Sequence, residues 1–278
     1  HGGAERMLSR DADDGEVILQ LGGSDPANLA KCARLAQQYG YSGVNLNVGC
    51  PSARVQAGNI GACLFKDPAL VGECVSAMQD AVDIDVTVKC RIGVDEMDSF
   101  EHLMHFLTTI QLSGCRQVQI HARKAWLKGL NPKQNRSVPM LNYDRAYDAA
   151  KACPAMTVVL NGGINTVEVA SAALMRFSGV MIGRAAYQRP LFIRELATNI
   201  DPHCEYSSVV EVVDRYIEHV VCMQSKGHRL SVLLKPLQNV LHACPYAKSW
   251  RTLLSDCGSG TASLSALSTH MVHTCLVD

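Results

Sequence analysis

Short apolar runs alternate with segments of helical periodicity through the first two hundred residues. Six runs rich in Val, Ile and Leu have the length of β-strands and cover 16–23, 43–49, 85–93, 117–123, 156–163 and 179–184. Segments between them, such as 25–40 and 67–82, space their apolar residues as helices do, and Asp25 and Gly40 are typical of a helix start and stop. This alternation predicts an α/β fold with a mostly parallel sheet.

Two architectures share such an alternation, a doubly wound sheet and a (β/α)8 TIM barrel. No GxGxxG motif follows the first run, although a doubly wound sheet that binds a dinucleotide usually carries one there. The last two runs end in "NGG" and "GR", which suits the phosphate-binding loops after strands seven and eight of a barrel. We therefore predict a TIM barrel whose strands three to eight are the six runs, with strands one and two missing ahead of His1.

The strand pattern stops near residue 200. The segments 207–227 and 229–245 have helical spacing, and 257–278 is rich in Ser, Thr and Gly. We predict an incomplete barrel domain over 1–200, a small C-terminal helical domain over 201–256, and a flexible tail over 257–278.

Charge is balanced overall but unevenly placed. The segments 102–143 and 219–255 contain no Asp or Glu, yet together they carry eleven Lys and Arg. They are either ordinary solvated faces or two parts of a surface that accepts phosphates.

Several functional classes lack support in the composition. No run of about 18 apolar residues suggests a membrane span. Twelve cysteines without a CxxC pair indicate buried thiols in a reducing compartment. "HLMH" at 102–105 and "HMVH" at 270–273 lack a third ligand, so we predict no metal site.

Polar residues two apart in a strand share a face, which pairs Asn45 with Asn47, Lys89 with Arg91, and His121 with Arg123. Cations that converge on one barrel mouth are costly unless an anion binds there. Backbone N–H groups at Gly162, Gly163, Gly183 and Arg184 could hold the phosphate of such a ligand, and the Gln20 amide could contact a planar ring. Each of these residues, like Cys50 in "NVGCPS", could equally be structural.

Six ordered motifs stand out along the chain: "LQLGGSDP", "NLNVGCPS", "VTVKCRIG", "IHARKAWLKGLNPKQNR", "LNGGI" and "GVMIGRAAYQ". Together they resemble the motifs of the tRNA dihydrouridine synthase family, most closely its A subgroup. The resemblance is close over about the first 200 residues and looser to about residue 255. It implies an FMN-bearing TIM barrel with a helical domain that reduces uridine in tRNA to dihydrouridine using NADPH, at positions 20 and 20a of the D-loop.

The resemblance also implies residue roles. Cys50 matches the proton donor. FMN contacts are implied for Gln20, Lys89, His121, Asn161, Gly162, Gly163, Gly183 and Arg184. Contacts to tRNA are implied for Asn47, Arg91, Arg123, Lys124, Lys133 and Arg136. The family's "APM"-like first strand has no match in this chain, which we therefore interpret as a fragment.

Two other functions stay open at this point. Lys89 could form a Schiff base in an aldolase-like, phosphate-binding barrel. The chain could also be a tRNA-binding remnant that lacks flavin and activity. We expect a monomer without a membrane or metal partner, located in the cytoplasm, or in an organelle if a targeting segment preceded His1.

Overall fold

A computed structural model describes residues 7–10, 15–203 and 205–275. Its six strands form one parallel sheet in sequential order from β1 to β6. The strands are β1 Ile18–Leu21, β2 Gly43–Val48, β3 Asp85–Arg91, β4 Gln117–His121, β5 Thr157–Asn161 and β6 Gly179–Met181. Each strand lies inside one of the six predicted runs. A doubly wound sheet would reverse its strand order at a switch point, so the sequential order confirms the TIM-barrel class.

Helices follow most of the strands. They are α1 Pro26–Gln38, α2 Ala53–Gln56, α3 Pro68–Gln79, α4 Phe100–Leu112, α5 Tyr143–Ala152, α6 Val167–Leu174, α7 Arg184–Gln188, α8 Leu191–Ile200, α9 Val209–Ser225, α10 Leu230–Leu233, α11 Ala247–Ser259 and α12 Ser265–Cys275. Three 3₁₀ helices cover Gly61–Lys66, Gln134–Arg136 and Lys235–Asn239. Asp25 and Asp67 each cap the helix that follows, as their side chains accept a backbone N–H in the first turn.

The chain divides into two compact units. The first comprises His1–Ile164 and Ala172–Met181, and the second comprises Asn165–Ser171 and Ile182–Asp278. The division at residue 182 comes earlier than the predicted boundary at residue 200. Helices α7 and α8 therefore lie in the second unit, together with residues 165–171.

The flexible tail predicted over 257–278 is wrong for the residues up to 275. Residues 265–275 form α12, in which Leu267 and Met271 are fully buried in the core of the second unit. That core is built around Trp250, whose indole N–H donates to the Leu237 carbonyl at 2.7 Å. Residues 276–278 of the predicted tail, like the first six residues of the predicted barrel domain, lie outside the described part of the chain.

The sheet of the first unit has one apolar and one polar face. Val44, Leu46 and Val48 of β2 are fully buried. The intervening Asn45 and Asn47 lie in register with Thr87 and Lys89 of β3. In-register neighbours share a face, so the polar side chains of successive strands form rows across the sheet. Among the residues described, no helix has the length and apolar character that crossing a bilayer requires.

Candidate active site at the strand ends

A chain of side-chain amides crosses β1 to β4 on the polar face. The Gln20 Nε2 donates to Asn45 Oδ1 at 2.9 Å, and Asn47 Nδ2 donates to Gln20 Oε1 at 3.2 Å. Asn45 Nδ2 in turn donates to Thr87 Oγ1 at 2.8 Å and to Gln119 Oε1 at 2.7 Å. Asn45, Thr87 and Gln119 are buried, so these bonds replace water that the amides have lost.

Backbone groups at both ends of this hydrogen-bonded series fix the orientation of its side-chain amides. The Thr87 hydroxyl donates its single hydrogen to the Val44 carbonyl at 3.3 Å, so its oxygen can only accept from Asn45. At the other end, Asn47 Oδ1 accepts from the backbone N–H groups of Gly49 and Cys50 at 3.0 and 3.1 Å. The amides can meet both requirements in one orientation only. Each amide is therefore oriented before any ligand arrives.

Cys50 lies in the turn after β2 and is half-buried. Its N–H is held by Asn47, and its carbonyl accepts from the Ala62 N–H at 2.9 Å. Gly61 has a left-handed φ of 81°, and a Cβ there would lie 2.5 Å from the Cys50 carbonyl oxygen and 3.2 Å from the Cys50 Cβ. Only glycine permits this approach, so the chain after Cys50 packs directly against the cysteine.

A cationic side chain, Lys89 of β3, is hydrogen-bonded to Asn161 of β5. Lys89 Nζ donates to Asn161 Oδ1 at 2.9 Å, and Asn161 Nδ2 donates to the Met181 carbonyl at 2.7 Å. Burial lowers the pKa of the Lys89 ammonium to about 8. Within the described residues Lys89 forms no ion pair with a carboxylate. Its charge is thus desolvated without being neutralised.

His121 and the glycines after β5 are tightly packed together. His121 is buried in register with Arg91 and Asn161. Gly162 has a φ of 105°, and a Cβ there would lie 2.3 Å from His121 Cδ2. The Tyr143 hydroxyl donates to the Gly162 carbonyl at 2.6 Å. The "NGG" turn therefore lies directly on the imidazole, which no larger residue would allow.

Arg91, for which the resemblance implies a contact to tRNA, lies in buried surroundings. Arg91 is only 3% exposed, and burial lowers the pKa of its guanidinium to about 10. It donates to the carbonyls of Gly49, Lys124 and Asn135 at 3.1, 3.1 and 2.9 Å. Its Nε and Nη1 thus join the Cys50 turn to the loop after β4, and a contact of Arg91 with tRNA stays a prediction.

The acid-free segment 102–143 is partly neutralised by the loop after β3, where Asp98 pairs with Lys124 at 2.8 Å. In the same loop, Asp95 pairs at 2.6 Å with Lys66, which lies outside that segment. Asp95 also accepts the Leu127 N–H at 2.8 Å. Charge counted along the sequence therefore overstates the positive character of this region.

The other predicted tRNA contacts differ in exposure. Lys133 and Arg136 are exposed, whereas Arg123 is half-buried and donates to the Pro139 carbonyl. Asn47 is occupied with Gln20 and the Cys50 turn. Gly183 and Arg184 lie in the second unit, at the start of α7, so their part in the phosphate site stays a prediction.

Three buried polar residues of the site were missed from the sequence: Asn135, Thr87 and Gln119. Asn135 is fully buried and ties the loop after β4 together, since its amide bonds Trp126 N–H at 2.8 Å and Trp126 carbonyl at 2.9 Å. Thr87 and Gln119 alternate with apolar neighbours in β3 and β4, and that alternation could have revealed them. Among residues that the structure describes, no group of three or more His, Cys, Asp or Glu could hold a metal.

Comparison with known proteins identifies the family. The family model for dihydrouridine synthase matches residues 2–274. The tRNA-dihydrouridine(20/20a) synthase of Synechocystis sp. is 45% identical over 262 residues, covering 92% of this chain and 77% of the relative. The enzyme of that name from Shewanella oneidensis is 46% identical over 253 residues, covering 90% and 75%. The chain belongs to the dihydrouridine synthase family, a family of oxidoreductases.

Proposed function

We propose that this protein reduces uridine in tRNA to 5,6-dihydrouridine, with FMN as its cofactor, NADPH as the reductant and Cys50 as the proton donor. The observation that carries the proposal is the Cys50 turn, held by Asn47 and Gly61 beside a desolvated lysine in a member of this family. Positions 20 and 20a are the proposed targets, because the relatives bear them in their names.

The residues on the polar face fit FMN. An anionic ligand would offset the burial of the Lys89 ammonium, and the reduced flavin and its phosphate are both anionic. Lys89 and His121 would lie at the ring, and Gln20 would hydrogen-bond its edge with an amide already oriented by Asn45. Asn161, Gly162 and Gly163, which close β5, would meet the phosphate, together with Gly183 and Arg184 after β6. FMN, when bound, would supply the hydride that adds to C6 of uracil.

Cys50 would complete the reduction. Addition of hydride at C6 leaves negative charge that C5 must lose by taking up a proton, and the Cys50 thiol carries one. Asn47 and Gly61 determine where that thiol lies, because both contact the Cys50 backbone. Lys89 would stabilise the negative charge that develops on the uracil carbonyl.

The surface after β4 would meet the RNA. Lys133 and Arg136 are exposed there, and Lys124 and Arg123 lie closer to the strand ends. The target base must leave its stack to reach the polar face, as in other enzymes that act on a base. We expect tRNA affinity to fall steeply with salt, as it does when phosphates are bound by lysine and arginine.

The test measures flavin content and dihydrouridine formation in an unmodified tRNA transcript supplied with NADPH. Cys50→Ala should keep the flavin and lose turnover by about 100- to 10,000-fold. Cys63→Ala, in the half-buried cysteine thirteen residues later, is the matched control and should stay near the parent. Normal turnover in Cys50→Ala would remove its assignment as proton donor. A colourless protein that binds tRNA without oxidising NADPH would instead support the remnant function.

A Schiff base at Lys89 is a second candidate, favoured by the lowered pKa of its amine. Borohydride treatment with aldehyde or ketone substrates would then trap a covalent adduct at Lys89. A flavin-loaded protein with no adduct would exclude this reaction.

A further inference from the structure

An open cleft lies where the loops after β3 and β4 meet, outside the polar face of the sheet. Its volume is about 350 Å³. The apolar part of its lining includes Trp126, Pro139 and Leu141, and its polar part includes Asp98, Lys124 and Arg145. Met140 also lies in the lining, with 86% of its surface exposed.

The polar side of the cleft is already organised. The Lys124 ammonium lies 3.9 Å from the centre of the Trp126 ring and 2.8 Å from Asp98 Oδ2. Arg145 donates to the Asp98 backbone carbonyl. Both cations are thus engaged with the loop that carries Asp98.

This arrangement selects against a phosphate and in favour of an uncharged ring. Lys124 is already paired with Asp98, and the Asp98 carboxylate in the lining would repel a dianion. The Asp98 side chain is still 40% exposed, and its Oδ1 accepts no hydrogen bond from the residues that the structure describes. An exposed carboxylate oxygen beside an indole suits a planar heterocycle whose edge carries N–H donors.

The Arg91 side chain connects the wall of the cleft to the turn that carries the proposed proton donor. Arg91 donates to the carbonyl of Gly49, next to Cys50, and to the carbonyl of Lys124, in the cleft wall. Arg91 therefore connects the backbone of the cleft wall to the Cys50 turn. Exposed Lys128 and Lys133 follow on the same loop and could meet the phosphates on either side of a ligand in the cleft.

We propose that the cleft binds an unpaired base of the RNA, next to the nucleotide being reduced. The base would stack on Trp126 and donate its N–H groups to Asp98. Guanine presents two such donors on one edge, N1–H and the N2 amine, whereas adenine presents no N1–H. The cleft thus prefers guanine. This inference rests on the proposed function, since it assumes that the substrate is RNA.

Trp126 fluorescence gives a direct test. The sequence has two tryptophans, and Trp250 is fully buried in the second unit, so quenching by an added ligand reports Trp126. The probes are the pentanucleotides UUGUU and UUAUU, and NADP⁺. We expect UUGUU to quench Trp126 with about tenfold higher affinity than UUAUU, and NADP⁺ not to compete. Equal quenching by both pentanucleotides, no quenching, or competition by NADP⁺ would each overturn the proposal.

Two variants and a control sharpen the result. Trp126→Leu should weaken binding of a tRNA transcript about tenfold while leaving the visible flavin absorbance unchanged. Asp98→Asn should remove the preference for UUGUU, whereas Glu96→Gln, in an exposed acid of the same loop, should keep it. Retained preference in Asp98→Asn would contradict the contact. If the protein prefers UUGUU but forms no dihydrouridine, base binding in the cleft would be supported and the proposed reaction would be wrong.

Discussion

The polar face of the sheet has two halves that differ in how far their polar groups are satisfied. Over β1 to β4, the amides of Gln20, Asn45 and Asn47 bond one another and end on backbone groups. Over β3 to β5, the half-buried and positively charged Lys89 donates a hydrogen bond to the Asn161 amide oxygen and pairs with no carboxylate among the described residues. The oxygens of all three amides have donors without a ligand, whereas the Lys89 charge has no counter-charge among the described residues.

The difference indicates that the cationic half contributes to ligand affinity and that the amide half positions the side chains of the site. A satisfied hydrogen-bond network gains little from a ligand, but it holds Cys50 and Gln20 in place. A desolvated cation destabilises the protein until an anion arrives, and its relief then contributes to ligand affinity. Variants in the two halves should therefore change different quantities.

The largest effect is expected in the cationic half. Lys89→Met should weaken FMN binding about 100-fold, because the cation that meets the flavin is lost. The flavin-free variant should also be more stable than the flavin-free parent by about 1–2 kcal/mol, since a buried charge has been removed and one hydrogen bond to Asn161 lost. FMN titration and denaturant melts of both proteins measure this. Unchanged FMN affinity would mean that the cationic half does not contribute to ligand binding.

A substitution beside the amide half should act on turnover. Gly61→Ala introduces a Cβ 2.5 Å from the Cys50 carbonyl oxygen, so Cys50 must move, and we expect about a tenfold loss in kcat with flavin retained. Gly129→Ala is the control, because Gly129 has the same φ of 81° but no atom near the added Cβ. An equal loss in both variants would attribute the effect to backbone strain and not to Cys50.

Removal of the Thr87 hydroxyl should have a smaller effect. Thr87→Val keeps the shape but leaves one Asn45 N–H without its acceptor, for a loss of about 1–2 kcal/mol in stability and about fivefold in kcat. Thr87→Ser should restore both. Thr157→Val, at an exposed position at the start of β5, should change neither. A Thr87→Val enzyme with parental kcat would show that the amides keep their direction without the hydroxyl.

The smallest effect is a pH dependence of stability. The Lys89 pKa is about 8 in the folded protein against an ordinary 10.5, so the unfolded chain binds one more proton between those values. Stability that depends on Lys89 therefore rises with pH across this window, by about 1 kcal/mol from pH 8 to 9. The difference between flavin-free parent and Lys89→Met should shrink over that range. A constant difference would mean that Lys89 titrates normally.

Much of the fold was readable from the pattern of apolar residues. Every predicted run contains a strand, because strands buried on a parallel sheet need apolar side chains whatever their neighbours are. The face shared by Asn45 and Asn47, or by Lys89 and Arg91, followed from strand geometry alone.

What the sequence could not show depends on distant partners. Arg91 shares a face with Lys89, yet its guanidinium is taken up by carbonyls of Lys124 and Asn135, more than 30 residues away. The prediction of a flexible tail over 257–278 is wrong because Ser, Thr and Gly content, which is typical of loops, does not exclude a helix. Leu267 and Met271, four residues apart, suffice to anchor one. Asp98 neutralises Lys124, a cation of a segment that holds no acid of its own.

The amide of Asn135 helps to hold the loop after β4 together, because it bonds Trp126 at one end and the Leu130 carbonyl, at 3.1 Å, near its middle. The loop is attached to the rest of its unit by the Arg91 guanidinium, by the Gln56 amide and by Asp95, which accepts the Leu127 N–H. Protein engineers could exchange residues 127–134 for other sequences if Trp126, Asn135 and Arg91 are kept. Such grafts would offer a route to new RNA preferences without rebuilding the catalytic centre.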